Sequence, residues 1–206
     1  MRRGALVHLV GPDGTGKSTL AALVVEALRP HGPVLHRYWR PAILPSPRRF
    51  AGRPEGEVVT DPHGRPPQRG FRASLRVLYY AVDFLVGHWI LYRPVLRRGG
   101  VVVVERGWQD VAVDPRRYLL PTNRLALALL VLMPKPDLLF VLDAPAGVVR
   151  ARKPELEPVE IERQLGEWLR RGRTRRLVRL DATLPADRLA HDVVGVVSDT
   201  LSVSRG

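Results

Sequence analysis

Apolar residues fall into short runs and helical stripes that alternate along the chain. Ala5–Val10 is a short apolar run ending at glycine, which suits a central strand buried on both faces. Leu20, Leu23, Val24, Ala27 and Leu28 share one stripe, predicting a helix from Thr19 to Arg29 that Pro30-His31-Gly32-Pro33 stops. Val34–Tyr38 reads as a second strand. Phe71–Arg98 carries helical periodicity through Leu75, Leu78, Tyr79, Val82, Leu85, Val86 and Trp89, with Pro94 expected to kink or end it. Gly99-Gly100 then turns the chain into Val101–Val104, a buried strand. Arg124–Met133 reads as a helix, Leu138–Leu142 as a strand and Ala146–Arg152 as a short helix. Pro158–Arg171 is a further helix, Leu177–Leu180 a fifth strand and Ala186–Ser202 a closing helix. Strands separated by helices predict an α/β fold: a five-stranded parallel sheet covered on both faces.

Residues 41–70 break the alternation. They hold seven prolines and four glycines with few apolar anchors, so they read as a long loop. No internal repeat or second domain is visible, and 206 residues suit one domain, 1–206.

Composition narrows the classes. At 45% hydrophobic and 26% charged, the chain can bury a sizeable core. No apolar run reaches the ~20 residues that span a bilayer. Val77–Tyr92 comes closest, but Asp83, Gly87 and His88 interrupt it. The basic N-terminus runs straight into a glycine-rich motif without a small-residue cleavage site, so it reads as a strand and not a signal peptide. The chain has no cysteine, which excludes disulfides and thiolate metal sites, and its six histidines show no ligand spacing. A cytoplasmic location is expected. The net charge of +13 comes mostly from arginine, which is spread over the whole chain and fits a GC-rich genome as well as a polyanionic partner. It attracts anionic ligands either way. The run Arg170, Arg171, Arg173, Arg175 and Arg176 lacks interleaved aromatics and reads as a solvated turn, so no nucleic-acid partner is expected.

Gly11-Pro12-Asp13-Gly14-Thr15-Gly16-Lys17-Ser18, followed by Thr19, satisfies G-x-x-x-x-G-K-[ST] between a strand and a helix. Glycines let successive N–H groups converge on phosphate oxygens, and the helix start adds its positive dipole end. Lys17 is expected to reach the β- and γ-phosphates of ATP, and Ser18 to coordinate Mg2+. This places the fold among three-layer sandwiches of the P-loop NTPase type. Glu105, at the end of a buried strand, points to the ligand crevice and is a second candidate for magnesium. Arg106 beside it is suited to transferring phosphate oxygens, and Glu105 and Arg106 are also candidates to bind the acceptor. Asp143, which ends the next strand, is a weaker candidate of the same kind.

Gly11–Leu20 resembles the phosphate loop of thymidylate kinases, with Asp13 at the family's aspartate and the G-K-S-T close. The spacing of Asp83 and Pro94, the strand end Glu105-Arg106, Leu142-Asp143-Ala144-Pro145 and Asp181-Ala182-Thr183 are similar to segments of that family in the same order. The resemblance implies transfer of the ATP γ-phosphoryl group to a nucleoside monophosphate, with dTMP as first candidate, and a homodimer. It implies that Asp13 faces the acceptor's sugar, that Arg40 in Tyr38-Trp39-Arg40-Pro41 holds the acceptor's phosphate, and that Tyr80 stacks on the base. It also implies a short lid near 150–160, where Arg152 screens the transition state. Phe84 stands in place of the arginine that reads thymine, and Gly107 in place of a tyrosine. These departures favour other acceptors, such as a sugar or another metabolite. A nucleotide-binding protein without catalysis is a third reading, which Lys17, Ser18 and Glu105 argue against. Trp89, Tyr79 and Val86 are expected in the core or a subunit contact, and His8 inside a buried strand.

Overall fold

The computed structural model describes residues 4–45, 70–172 and 174–203. Its strands β1 (Ala5–Val10), β2 (Val34–Arg37), β3 (Val101–Glu105), β4 (Leu138–Asp143) and β5 (Arg176–Asp181) form one parallel sheet in the order β2-β3-β1-β4-β5. The chain builds outward from β1 on one side through β3 and β2, and on the other through β4 and β5. The carboxyl end of β1 therefore faces the crevice where open parallel sheets hold ligands.

The alternation of side chains along β1, with apolar residues on both faces, explains its largely apolar sequence. Ala5, Val7 and Leu9 pack with α1 (Lys17–Leu28) and α8 (Ala186–Val203) on one face. Leu6 and Val10 face the opposite layer, Leu6 with Val102, Val104 and Tyr92 and Val10 with Val141, Val113 and Trp168. Removing each of the valine and leucine side chains from water contributes about 1.5–3 kcal/mol. The central strands are therefore held in register from both sides.

The helix expected over 71–98 is divided. The helix α2 (Phe71–Gly87) passes into a π-helical turn at His88–Tyr92 and then α3 (Arg93–Arg97). Pro94 has no N–H to donate and its ring crowds the preceding turn, which the wider π-turn accommodates. Arg93 lies 3.8 Å over the Trp89 ring. The short helix α4 (Trp108–Val113) is not visible in the pattern, because its six residues are too few to show a period and all of them are buried, Gln109 and Asp110 included. A 3-10 turn at Arg116–Tyr118 follows and is closed by Leu119, whose φ is 59°. The helix α5 (Arg124–Leu129) stops short of Met133, since the chain tightens into turns before Pro134. The helices α6 (Ala146–Arg152) and α7 (Pro158–Arg171) have the expected bounds. Most of the proline-rich segment at 41–70 lies outside the described residues. No described helix is long and apolar enough to cross a membrane.

Candidate functional site

The loop between β1 and α1 wraps around the amino end of α1. Gly11, Gly14 and Gly16 have φ values of 149°, 92° and 85°, which side chains rarely adopt. A Cβ on Gly11 would stand 2.6 Å from the Leu142 carbonyl oxygen, so the loop lies directly against the end of β4. The Thr15 hydroxyl donates to the Pro12 carbonyl at 2.9 Å. Lys17 runs back beneath the loop, its Nζ donating to the carbonyls of Gly11 at 2.8 Å and Pro12 at 2.7 Å. Burial lowers its pKa to about 8, opposed by the nearby Asp110 carboxylate. Gly16, Ser18 and Thr19 are exposed along the rim, at the helix end that carries the positive dipole.

Glu105 brings the end of β3 to this rim. The Ser18 hydroxyl donates to Glu105 Oε2 at 2.6 Å, and His36 Nε2, from β2, lies 2.8 Å from Oε1. Two hard oxygen donors at an open rim suit Mg2+, which keeps waters and takes phosphate oxygens as its other ligands. The described residues contain no group of three or more carboxylate, histidine or cysteine side chains that could hold a metal without a nucleotide.

Behind the rim lies a buried ionic cluster. Arg106 has a φ of 57°, unusual for a residue with a side chain, and its guanidinium turns back onto the glycine-rich loop. Its Nη2 pairs with Asp13 Oδ1, and its Nη1 lies 3.3 Å from Asp110 Oδ2. Arg117, from the 3-10 turn, donates to the other Asp13 oxygen. The Tyr118 hydroxyl donates to Asp110 Oδ2 at 2.6 Å, and burial pushes its pKa well above that of a free tyrosine. Asp13 was expected to face an acceptor's sugar. Its carboxylate is instead engaged by two arginines, with the Lys17 ammonium 3.7 Å away.

Arg40 is likewise engaged elsewhere than expected. It donates to Asp83 at 3.0 Å and to the Leu44 carbonyl at 2.8 Å. Asp83 is fully buried and also accepts from the backbone N–H groups of Ala42 at 3.1 Å and Leu44 at 2.7 Å. The guanidinium thus fastens the start of the long loop to α2. Trp39 lies above this staple, stacked on Tyr118 at 4.9 Å and edge-on to Tyr80 at 4.9 Å and Phe84 at 6.4 Å. Phe84 in turn packs on Trp108. Tyr80 and Phe84 are buried core residues, with Trp39 against Tyr80 where a stacked base was expected.

Arg152 departs from its expected role. It is exposed and donates to the Ala182 carbonyl at 2.9 Å, beyond the end of β5. Lys153 comes nearer the loop, its Cβ lying 3.1 Å from where a Cβ on Gly14 would stand. Asp143 pairs with Arg179. In the arginine-rich turn, Arg170 pairs with Glu167 and Arg175 with Asp137. Trp89 is 58% exposed, so it is not core. His8 is buried as expected, 3.2 Å from Gln109 Oε1, and desolvation lowers its pKa to about 4. Its ring explains the glycine after Glu105-Arg106, because a Cβ on Gly107 would stand 2.4 Å from His8 Cε1.

No family model matches the chain, and no curated protein matches it. The cluster thus rests on its own geometry. His36, Asp110, Arg117, Tyr118 and Trp39 were missed as site residues. Arginine is too common in this chain for Arg117 to stand out, and His36 sits alone in a short strand.

Proposed function

We propose that the chain is an ATP- and magnesium-dependent phosphotransferase of the P-loop type that acts on a small anionic acceptor. A nucleoside monophosphate is the first candidate acceptor, and dTMP the first to try. The observation that carries this reading is the buried Lys17 beneath the glycine-rich loop, with Ser18 and Glu105 2.6 Å apart at its rim. Loop N–H groups and Lys17 would hold the β- and γ-phosphates. Ser18 and Glu105 would hold Mg2+, which when bound neutralises phosphate charge. An oxygen of the acceptor's phosphate forms a bond to the γ-phosphorus. The bond from that phosphorus to the β–γ bridging oxygen breaks, and ADP leaves with the electron pair. That oxygen carries no proton to remove, so no strong general base is needed, and catalysis is positioning and charge neutralisation. Arg106, already turned toward the loop, supplies the neutralising guanidinium.

A second reading has support in Trp39, whose ring lies against Tyr80 and narrows the space for a base. It keeps the phosphotransferase and changes the acceptor to a smaller phosphorylated compound, such as a sugar phosphate. ADP release from ATP and Mg2+, measured against a panel of nucleoside monophosphates and sugar phosphates with Lys17→Ala as background, separates them. Stimulation by a nucleotide supports the first reading and stimulation by a sugar phosphate the second. ATP binding with no stimulation across the panel contradicts both.

The exposed side chains of Phe71, Leu75, Leu78, Val82 and Trp89 on α2 and the turn after it support a homodimer, the expected partner state.

A further inference from the structure

The cluster around Asp13 has the composition of an anion site. Three cationic side chains converge on one carboxylate: Arg106 on Oδ1, Arg117 on Oδ2, and Lys17 at 3.7 Å. The two arginines come from different elements and are braced through the same residues. Arg106 follows β3 with a positive φ that turns it inward. Arg117 sits on a turn whose N–H bonds Asp114 Oδ1 at 3.3 Å, and the next residue, Tyr118, bonds Asp110, as does Arg106. The side chain of Arg106 is 6% exposed, yet its Nε is buried with no hydrogen-bond acceptor. A buried guanidinium nitrogen left without an acceptor is costly, and it marks a donor available to a further anion.

We propose that Arg117 and Arg106 form a two-arginine clamp for the phosphate of the acceptor, with the Asp13 carboxylate as the clamp's resident competitor. The inference rests on the phosphotransferase reading above and deepens it by naming the acceptor's anchoring group. Both Asp13 oxygens are occupied by guanidinium donors, so neither lies open to a neutral hydroxyl acceptor. A phosphate monoester brings up to two negative charges and three terminal oxygens. These fit guanidinium forks better than one carboxylate does. Such a phosphate draws Arg117 and Arg106 from Asp13, and a neutral compound of the same shape does not. The competition makes charge on the acceptor a condition of binding. Trp39, stacked on Tyr118 beside the clamp, would bound the rest of the acceptor.

The test uses the full chain saturated with Mg2+ and the β,γ-imido analogue of ATP, so that the phosphate loop is filled. Orthophosphate is then titrated at constant ionic strength, and binding is read from the rise in Tm. The wild type is expected to gain stability with phosphate. Arg117→Ala and Arg117→Lys are each expected to weaken that phosphate affinity about tenfold, the loss of one charge-assisted pair, while keeping the nucleotide-induced rise. Lysine retains the charge and loses the fork. A purely structural ion pair would instead lower basal Tm and be largely restored by lysine, with the phosphate affinity unchanged. Equal phosphate affinity in wild type and variants overturns the clamp, as does a nucleotide response in the wild type without a phosphate response. Absence of the nucleotide response itself overturns the functional reading on which the clamp rests.

Discussion

The Ser18 hydroxyl donates to Glu105 Oε2 at 2.6 Å, joining the first turn of α1 to the end of β3. This contact makes the glycine-rich loop and the strand-end acid one site. Glu105 is 2% exposed, and its two oxygens are divided between Ser18 and His36.

Glu105→Gln keeps the shape and removes the charge. It is expected to lower ADP release about 100-fold and to raise the Mg2+ concentration needed, because a neutral amide holds a hard cation poorly. ATP binding without metal should change little. Steady-state kinetics over a Mg2+ titration, paired with calorimetry, checks both.

His36 holds the second oxygen of Glu105, and glutamate has one more torsion to fix than aspartate. His36→Ala is expected to weaken Mn2+ binding to the ATP complex about tenfold, with His36→Gln restoring most of it through its amide donor. Electron paramagnetic resonance of free Mn2+ reads this directly. Equal Mn2+ affinity in all three proteins would remove His36 from the site.

His8 links the fold to pH. Burial holds its pKa at about 4, against 6.5 in an unfolded chain, so the unfolded state binds more protons between those values. Stability from this group is complete above pH 6.5 and falls as pH drops toward 4, by roughly 3 kcal/mol in all. Urea denaturation of wild type and His8→Asn at pH 7, 5.5 and 4.5 should show a gap that changes in the variant's favour as pH falls.

These sites differ in how far the sequence exposes them. The strands β1, β3 and β4 are legible because burial on both faces requires continuous apolar runs. The glycine-rich loop is legible because Gly11, Gly14 and Gly16 take backbone angles that other residues rarely adopt. Arg117 and Asp13 are 104 residues apart and meet only through the 3-10 turn after α4, a helix too short to show a period. A short match gives Arg40 a phosphate role, and only the fold shows its pairing with the buried Asp83 carboxylate. Gly107 looks like a change of specificity until the His8 ring is seen against it.

Asp83 organises the entry to the long loop, so its loss has a local signature. Asp83→Asn is expected to speed amide exchange at Ala42 and Leu44, whose N–H groups bond its two oxygens, while leaving β1 protected. Hydrogen exchange with residue resolution checks this.

The apolar stripe on α2 carries the dimer proposal. Leu78→Arg is expected to convert a dimer to monomer in sedimentation equilibrium without loss of ATP binding. A monomeric wild type contradicts the proposal.

Transfer of phosphate from ATP to a phosphate-bearing acceptor is read by following the γ-phosphate itself. Wild type and Lys17→Ala are incubated with γ-labelled ATP, Mg2+ and dTMP, then with each other candidate monophosphate, and the labelled products are separated. Label is expected in the diphosphate of at least one acceptor with wild type, and in none with the variant. Label that remains in ATP or appears only as free orthophosphate, in a protein that binds MgATP, would contradict it.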